Sequence, residues 1–158
     1  LSRVHGIGTA KAAQILAALE LGRRASSYKD GHRPRIECPQ DVHSLFSAEM
    51  QQLKKEVMKL VMLNRKNEVL KALQISEGTL DSTLIHPRET YREAIKESAA
   101  AIILVHNHPS GDPEPSKDDI KLTRDFAEAG TLLGIDFFDH IIIGAAGAFT
   151  SMRERGIF

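Results

Sequence analysis

The sequence contains a single cysteine, Cys38, among its 158 residues. One thiol excludes a disulfide within the chain and excludes a zinc cage built from several cysteines. It also fits a reducing compartment, so we expect a cytoplasmic protein. Long hydrophobic runs are equally scarce, because the longest, residues 99–105, has the length of a β-strand and is too short to cross a bilayer. We therefore expect no membrane partner and an ordinary globular core.

Positive and negative residues balance over the whole chain, but they are unevenly distributed along it. The net charge is zero, yet residues 1–36 contain seven Lys or Arg and two Asp or Glu. This stretch therefore carries +5 and the remainder of the chain −5. We call residues 1–36 the basic head. Its charge indicates a binding partner for this stretch and indicates none for the acidic remainder of the chain.

Hydrophobic periodicity and turn residues predict the order of helices and strands. The predicted helices cover residues 9–22, 40–54, 88–98 and 117–133, with Thr9 as a cap and Gly22 as a stop for the first. The predicted strands cover residues 57–64, 68–76, 99–105 and 136–144, with shorter extended segments at 82–85 and 148–152. Residues 26–39 are rich in Ser, Gly, Pro and charge, and are predicted to be a linker. The order indicates an α/β (mixed α+β) fold, in which helices flank a mixed β-sheet and a short helical segment precedes it.

The residues that point to a particular chemistry lie between positions 106 and 119. His106 and His108 are two residues apart at the end of an extended segment, so both imidazoles project to the same side. A Pro/Gly loop then returns the chain to the first turn of a helix that carries Ser116 and Asp119. Two imidazoles and one carboxylate make three ligands, which leaves a fourth position for water, as catalytic zinc requires. We predict one Zn²⁺ held by His106, His108 and Asp119.

A simpler interpretation of the same residues is a helix cap. Ser116 and Asp119 have the spacing of a capping box, in which each side chain bonds the backbone N–H of the other residue. A cap, however, does not need two histidines at the end of the preceding buried strand. The combination therefore favours a metal site over a cap or a solvated polar loop.

The same residues carry a resemblance to a known family. His106-x-His108, then seven residues, Ser116, two residues and Asp119 match the zinc motif of the JAMM (MPN-type) metalloproteases. The stretch LVHNHPSGDPEPS, followed by a helix and DHIIIG, resembles the RadC branch. The resemblance covers residues 40–158 and implies a mixed sheet with one zinc ion, of the kind also seen in cytidine deaminases. It also implies hydrolysis of an amide, peptide or isopeptide bond in a peptide or protein substrate.

The family also carries a glutamate on an early strand, bonded to the zinc-bound water. Residues 55–61 lead from a predicted helix into the first predicted strand, where the family carries this glutamate, so the resemblance implies Glu56 as the general base. Glu77 and Glu89 are weaker choices, because they lie in a predicted turn and a predicted helix. Ser116 is expected to donate its hydroxyl to the developing oxyanion. His140 is expected to be structural or to support the site from behind.

The basic head resembles the second half of a helix-hairpin-helix. Residues 5–11 combine a Gly-x-Gly turn with the start of an Ala-rich helix, and residues 1–25 are taken as this partial motif. Backbone N–H groups at such a turn, with Lys11, would give weak, salt-sensitive contact with DNA phosphates. An ordinary glycine turn capping a helix is an equally good interpretation.

Three functions are therefore weighed. The preferred one is a zinc-dependent hydrolase of the JAMM type. The alternative is a DNA-associated accessory protein of repair or recombination with a structural or vestigial zinc site. A nucleoside deaminase is less favoured, because such sites expect paired cysteines. The sequence leaves the oligomeric state open.

Overall fold

A computed structural model describes residues 8–27, 33–78 and 85–158. The chain divides into two compact units, residues 1–33 and residues 34–158. The predicted boundaries at residues 25 and 39 remain predictions. The helices are α1 (Thr9–Ser27), α2 (Pro39–Met50), α3 (Pro87–Lys96) and α4 (Lys117–Leu133), and the strands are β1 (Val57–Leu63), β2 (Val69–Glu77), β3 (Ala101–Asn107), β4 (Asp136–Ile143) and β5 (Phe149–Ser151).

In the first unit, the described residues form α1. The predicted stop at Gly22 is wrong, because the helix continues to Ser27. A glycine inside a helix costs only about 1 kcal/mol relative to alanine. The good helix formers Arg23, Arg24 and Ala25 follow it, so the helix passes through. The predicted turn at residues 6–8 and most of the proposed DNA contact lie outside the described residues.

The second unit is built on a five-stranded sheet with the order β2-β1-β3-β4-β5. Strands β3 and β4 are parallel, and the other neighbouring pairs are antiparallel. The predicted mixed sheet flanked by helices is confirmed. The extended segment predicted at 82–85 falls mostly outside the described residues.

Helices cover both faces of the sheet. Side chains of α2 pack on one face in a core that includes Val42, Phe46 and Val61. Side chains of α3 and α4 pack on the other face in a core that includes Tyr91 and Phe126. Alternation along β1 and β3 assigns their side chains to the two cores in turn. The α3/α4 face therefore receives Met58 and Leu104, and the next inward position along β3 is His106.

Strand β3 begins and ends two residues later than predicted. Ser98 adopts a left-handed conformation (φ 53°) after α3, and the strand starts only at Ala101. At the other end, His106 pairs with Met58 of β1, and Asn107 pairs with Ile143 of β4. His106 is thus a residue of a central strand and not of the loop that follows it. Its backbone is fixed on both sides by the sheet.

Helix α2 also ends earlier than predicted, at Met50. Its start is well defined, because the Asp41 carboxylate accepts hydrogen bonds from the backbone N–H groups of Glu37 and Cys38 at 2.8 and 3.0 Å. Its end allows residues 51–56 to run without regular structure toward β1. This irregular stretch carries Glu56 to the edge of the site.

Candidate metal centre

The two histidines meet at the end of β3. The Nε2 atoms of His106 and His108 are 3.0 Å apart. His106 is fully buried, and His108 is 13% exposed through its side chain. The predicted convergence of the two imidazoles is therefore observed, with the His106 ring buried and the His108 ring partly exposed.

Asp119 reaches the same point from the first turn of α4. Its Oδ1 lies 3.4 Å from His106 Nε2, and its Oδ2 lies 3.5 Å from His108 Nε2. Ser116 caps the helix, since its hydroxyl donates to Asp119 Oδ2 at 2.6 Å and accepts from the Asp119 backbone N–H at 3.1 Å. The cap and the metal interpretation are thus compatible, because the capping bonds hold the carboxylate against both imidazoles.

Glu56 approaches from the segment before β1. Its Oε1 lies 3.6 Å from His108 Nε2 and 4.0 Å from His106 Nε2, and its side chain is 25% exposed. Ligand atoms of Glu56, His106 and His108 all lie within 4.8 Å of one another. The structure therefore brings together the three predicted zinc ligands and Glu56, the residue that the resemblance implies as the general base. Glu77 and Glu89, the weaker choices for that base, make exposed ion pairs with Lys55 and Arg92.

Hydrogen-bond partners define the protons on the two rings. His108 Nδ1 lies 2.8 Å from the carbonyl oxygen of Asp112, and a carbonyl can only accept. The proton of His108 is therefore on Nδ1, which leaves a lone pair on Nε2 when the ring is neutral. His106 Nδ1 lies 2.7 Å from His140 Nε2 and is likewise occupied away from the site. Both Nε2 atoms face the Asp119 and Glu56 carboxylates.

The electrostatics separate the two rings. Burial, together with the neighbouring His140 ring, lowers the pKa of His106 well below its ordinary value. The Asp119 carboxylate, 3.5 Å from His108 Nε2, favours the protonated ring and raises the pKa of His108, against the opposing effect of burial. Burial alone would raise the pKa of Asp119, but the nearby His108 ring and the hydrogen bonds from the Ser116 hydroxyl and backbone N–H outweigh it and lower the pKa. The site therefore favours a positive charge among its four groups.

This donor set fits a metal ion. Two imidazole nitrogens 3.0 Å apart, each with its other nitrogen occupied, would face each other lone pair to lone pair if both rings were neutral. Two carboxylates add negative charge at the same point. A cation relieves this repulsion, and nitrogen and carboxylate ligands in this number suit Zn²⁺. His106, His108, Asp119 and Glu56 are the residues that could hold it.

Sequence reasoning missed Asn107. It is buried, its amide oxygen accepts from the Val57 N–H at 2.9 Å, and its amide nitrogen donates to the Lys55 carbonyl at 3.1 Å. A polar residue between two candidate ligands at the end of an apolar strand was a usable signal. Its partners, however, lie about fifty positions away and could not be read from the sequence.

Comparison with known proteins identifies the family. A family profile described as a RadC-like JAB domain matches residues 36–157. The chain is 51% identical over 157 residues to a UPF0758 protein of Desulfitobacterium hafniense, an alignment that covers 99% of this chain and 69% of the relative. The chain belongs to the RadC family. A UPF0758 protein of Desulforamulus reducens is 50% identical over 157 residues, and one of Clostridium botulinum is 49% identical over 156 residues. These cover 99% of this chain and 69% and 68% of the two relatives.

Two further described histidines and the single cysteine lie apart from the centre of this RadC-family chain. His43 is buried in α2, where its ring stacks on Phe149 at 4.9 Å. His86 caps α3, since its Nδ1 accepts from the Arg88 backbone N–H at 3.2 Å. Cys38 is exposed at the start of α2. Among the described residues, no helix is both long and apolar enough to span a membrane.

Proposed function

We propose that this RadC-like JAB domain is a zinc-dependent hydrolase that cleaves an amide bond of a peptide or protein. The observation that carries the proposal is the convergence of His106, His108 and Asp119 with a fourth group, the partly exposed Glu56 carboxylate, which lies 3.6 Å from His108. Three residues suffice to hold the ion, so the fourth group is left for chemistry. Zinc at this point would supply Lewis acidity and a water molecule of lowered pKa.

Glu56 is suited to proton transfer by its position. Its carboxylate is the most exposed of the four groups and lies beside the more accessible of the two imidazoles. It would take a proton from the attacking water as the oxygen bonds to the substrate carbonyl carbon. When the C–N bond breaks, the same proton would pass to the departing amine. The products are an amine and a carboxylic acid, which releases its remaining proton to solvent to become a carboxylate, and Glu56 returns to its starting form.

The Ser116 hydroxyl would donate a hydrogen bond to the substrate carbonyl oxygen as negative charge develops on it. Its hydroxyl lies at the start of α4, where backbone N–H groups also favour negative charge. In this structure the hydroxyl donates to Asp119 Oδ2 at 2.6 Å. Donation to an oxyanion therefore requires the hydroxyl to turn from Asp119 toward the substrate. A Ser116→Ala variant that retains zinc and loses cleavage would support this role beyond helix capping.

The first test is metal content. The purified chain should contain about one zinc per molecule by mass spectrometry or atomic absorption, and His106→Ala should contain none. His86→Ala is the matched control, because His86 is an exposed histidine that caps α3. Equal zinc content in wild type and His106→Ala would contradict the proposed site.

The second test is cleavage. A library of peptides and isopeptides is incubated with zinc-loaded protein, with chelated protein and with Glu56→Gln. Cleavage should require zinc and should be lost with Glu56→Gln while zinc content is retained. Glu77→Gln serves as a control at an exposed carboxylate at the end of β2. Cleavage by Glu56→Gln at the wild-type rate would remove Glu56 from the mechanism.

The DNA-associated alternative has its own readout. Lys11 is an exposed residue of α1 in the basic head. Full zinc content without cleavage of any substrate, combined with loss of DNA affinity in Lys11→Glu, would favour an accessory role. Binding should weaken steeply as salt rises, because phosphate contacts release counterions.

A further inference from the structure

A third histidine, His140, lies on the fully buried side of the candidate metal centre. The His140 ring lies on β4, directly behind His106, with His140 Nε2 at 2.7 Å from His106 Nδ1. On its other side, His140 Nδ1 lies 2.7 Å from the hydroxyl oxygen of Thr123 on α4. Thr123 in turn lies 2.6 Å from the backbone carbonyl of Asp119. His106, Thr123 and His140 are all fully buried.

The direction of each hydrogen bond in this chain follows from its last member. A carbonyl oxygen only accepts, so the single hydroxyl proton of Thr123 is donated to Asp119. The Thr123 oxygen must then accept from His140 Nδ1–H. A neutral His140 has one ring proton, so its Nε2 carries a lone pair and accepts from His106 Nδ1–H. The lone pair of His106 is thereby placed on Nε2, the atom that faces His108 and Asp119.

We propose that Thr123 and His140 are positioning residues that fix the proton of His106 on Nδ1 and so keep its Nε2 ready for a metal ion. The inference rests on the proposed metal centre. It does not require that the centre cleave any particular substrate. Neither residue would contact the ion or the reacting atoms, because both reach the site only through His106.

The arrangement also couples two ligands to each other. The hydrogen-bond chain begins at the carbonyl of Asp119 and ends at the ring of His106, so it joins α4 to β3 through β4. A ligand histidine usually donates its second N–H to a carboxylate or a carbonyl. Here an uncharged imidazole accepts that proton, so no negative charge is added behind His106.

The competing explanation is packing alone, in which Thr123 and His140 merely fill space between α4 and the sheet. Thr123→Val separates the two, because valine replaces the hydroxyl by a methyl group of similar size. Thr123→Ser retains the hydroxyl and should rescue. Thr131→Val is the matched control, since Thr131 lies on the same helix and its hydroxyl also donates to a carbonyl one turn earlier, that of Ala127 at 3.0 Å.

The decisive measurement is ¹⁵N-edited NMR of the histidine rings in the metal-free full chain. In wild type, the proton of His106 should be on Nδ1 and protected from exchange. In Thr123→Val, His140 loses its acceptor, and His106 should show the Nε2–H form. A wild-type spectrum with the His106 proton on Nε2 overturns the proposal, and this result needs no variant to fold.

Zinc affinity, measured by competition with a chelator, is the second readout. Thr123→Val should bind zinc about 10–100-fold more weakly than wild type, the range expected for partners of a ligand histidine. Thr123→Ser and Thr131→Val should remain within about threefold of wild type. Unchanged affinity in Thr123→Val together with an unchanged His106 tautomer overturns the proposal. Absence of zinc binding in wild type would contradict the metal centre instead, while the NMR result would still decide the tautomer.

Discussion

The side-chain amide of Asn107 bonds the backbone on both sides of Glu56. Its oxygen accepts from the N–H of the residue after Glu56 at 2.9 Å, and its nitrogen donates to the carbonyl of the residue before it at 3.1 Å. Asn107 also stands between His106 and His108 in the sequence. The end of β3 therefore supplies two imidazoles and also holds the segment that supplies a carboxylate.

Asn107→Ala should destabilise the domain. The substitution leaves the Val57 N–H, which is buried, and the Lys55 carbonyl without their partner, and an unsatisfied buried group costs about 1–3 kcal/mol. We expect the free energy of unfolding in urea to fall by that amount, and zinc to bind more weakly because Glu56 is displaced. Gln52→Ala, at an exposed amide residue in the segment before β1, should change stability by less than about 0.5 kcal/mol.

Zinc should stabilise the folded protein. A ligand that binds only the native state adds about 2.7 kcal/mol when its free concentration is about 100 times the dissociation constant. Chelated wild type should therefore unfold at lower urea than the zinc-loaded protein. His106→Gln should show no difference between the two conditions. A shift of the same size in His106→Gln would mean that the ion binds elsewhere.

Chelated protein should lose stability as the pH falls below 6.5. The pKa of His140 is lowered from 6.5 to about 4 in the folded state by burial, so the unfolded chain binds this proton more readily in that window. The contribution of His140 to stability is complete above its pKa in the unfolded chain and is lost progressively as the pH falls toward its pKa in the folded state. The slope for this residue is about 1.4 kcal/mol per pH unit. Urea unfolding at several pH values measures it.

The variant His140→Gln should flatten this pH dependence, although the variant is less stable throughout. Its control is His86→Gln, which alters an exposed histidine and should leave the slope unchanged. Parallel curves for wild type and His140→Gln would show that His140 does not carry the effect.

Gly144→Ala should disturb the loop that joins the ligands. A Cβ at Gly144 would lie 2.6 Å from the Gly111 carbonyl oxygen and 2.8 Å from Pro113 Cδ, and neither can yield easily. We expect a loss of about 1–3 kcal/mol in unfolding free energy, as for other overpacked sites, and weaker zinc binding. Gly22→Ala in α1, where a Cβ meets nothing within 4 Å, should be neutral or slightly stabilising. Full zinc affinity in Gly144→Ala would show that the loop adapts without moving His108 or Asp119.

The mixed sheet and the RadC family were predictable because their signals are local. The apolar run before His106 marks a central strand, and the spacing from His106 to Asp119 is contained in one continuous segment. Glu56 was found only through the resemblance, since an isolated glutamate before a strand has no distinguishing pattern. Its approach to His108 depends on the pairing of β1 with β3, which sequence spacing does not reveal.

The supporting contacts were not predictable for the same reason. Asn107 acts on a segment about fifty positions earlier, and His140 meets His106 across 34 positions. The end of α1 differs from the prediction because good helix formers follow Gly22 and the helix continues through it. Local propensity thus located the elements, while tertiary contacts decided how the side chains of the site are held.

Strand β3 has hydrogen-bonded neighbours on both edges, and all seven of its residues are buried. Its amides are therefore expected to exchange with solvent only when the whole domain opens, whereas residues 51–56 lie outside regular structure and should exchange sooner. His106 therefore lies on a strand that is expected to exchange slowly, and Glu56 lies in a segment that is expected to exchange sooner. An ion would then enter and leave through local opening of residues 51–56, which is much faster than unfolding of the whole domain.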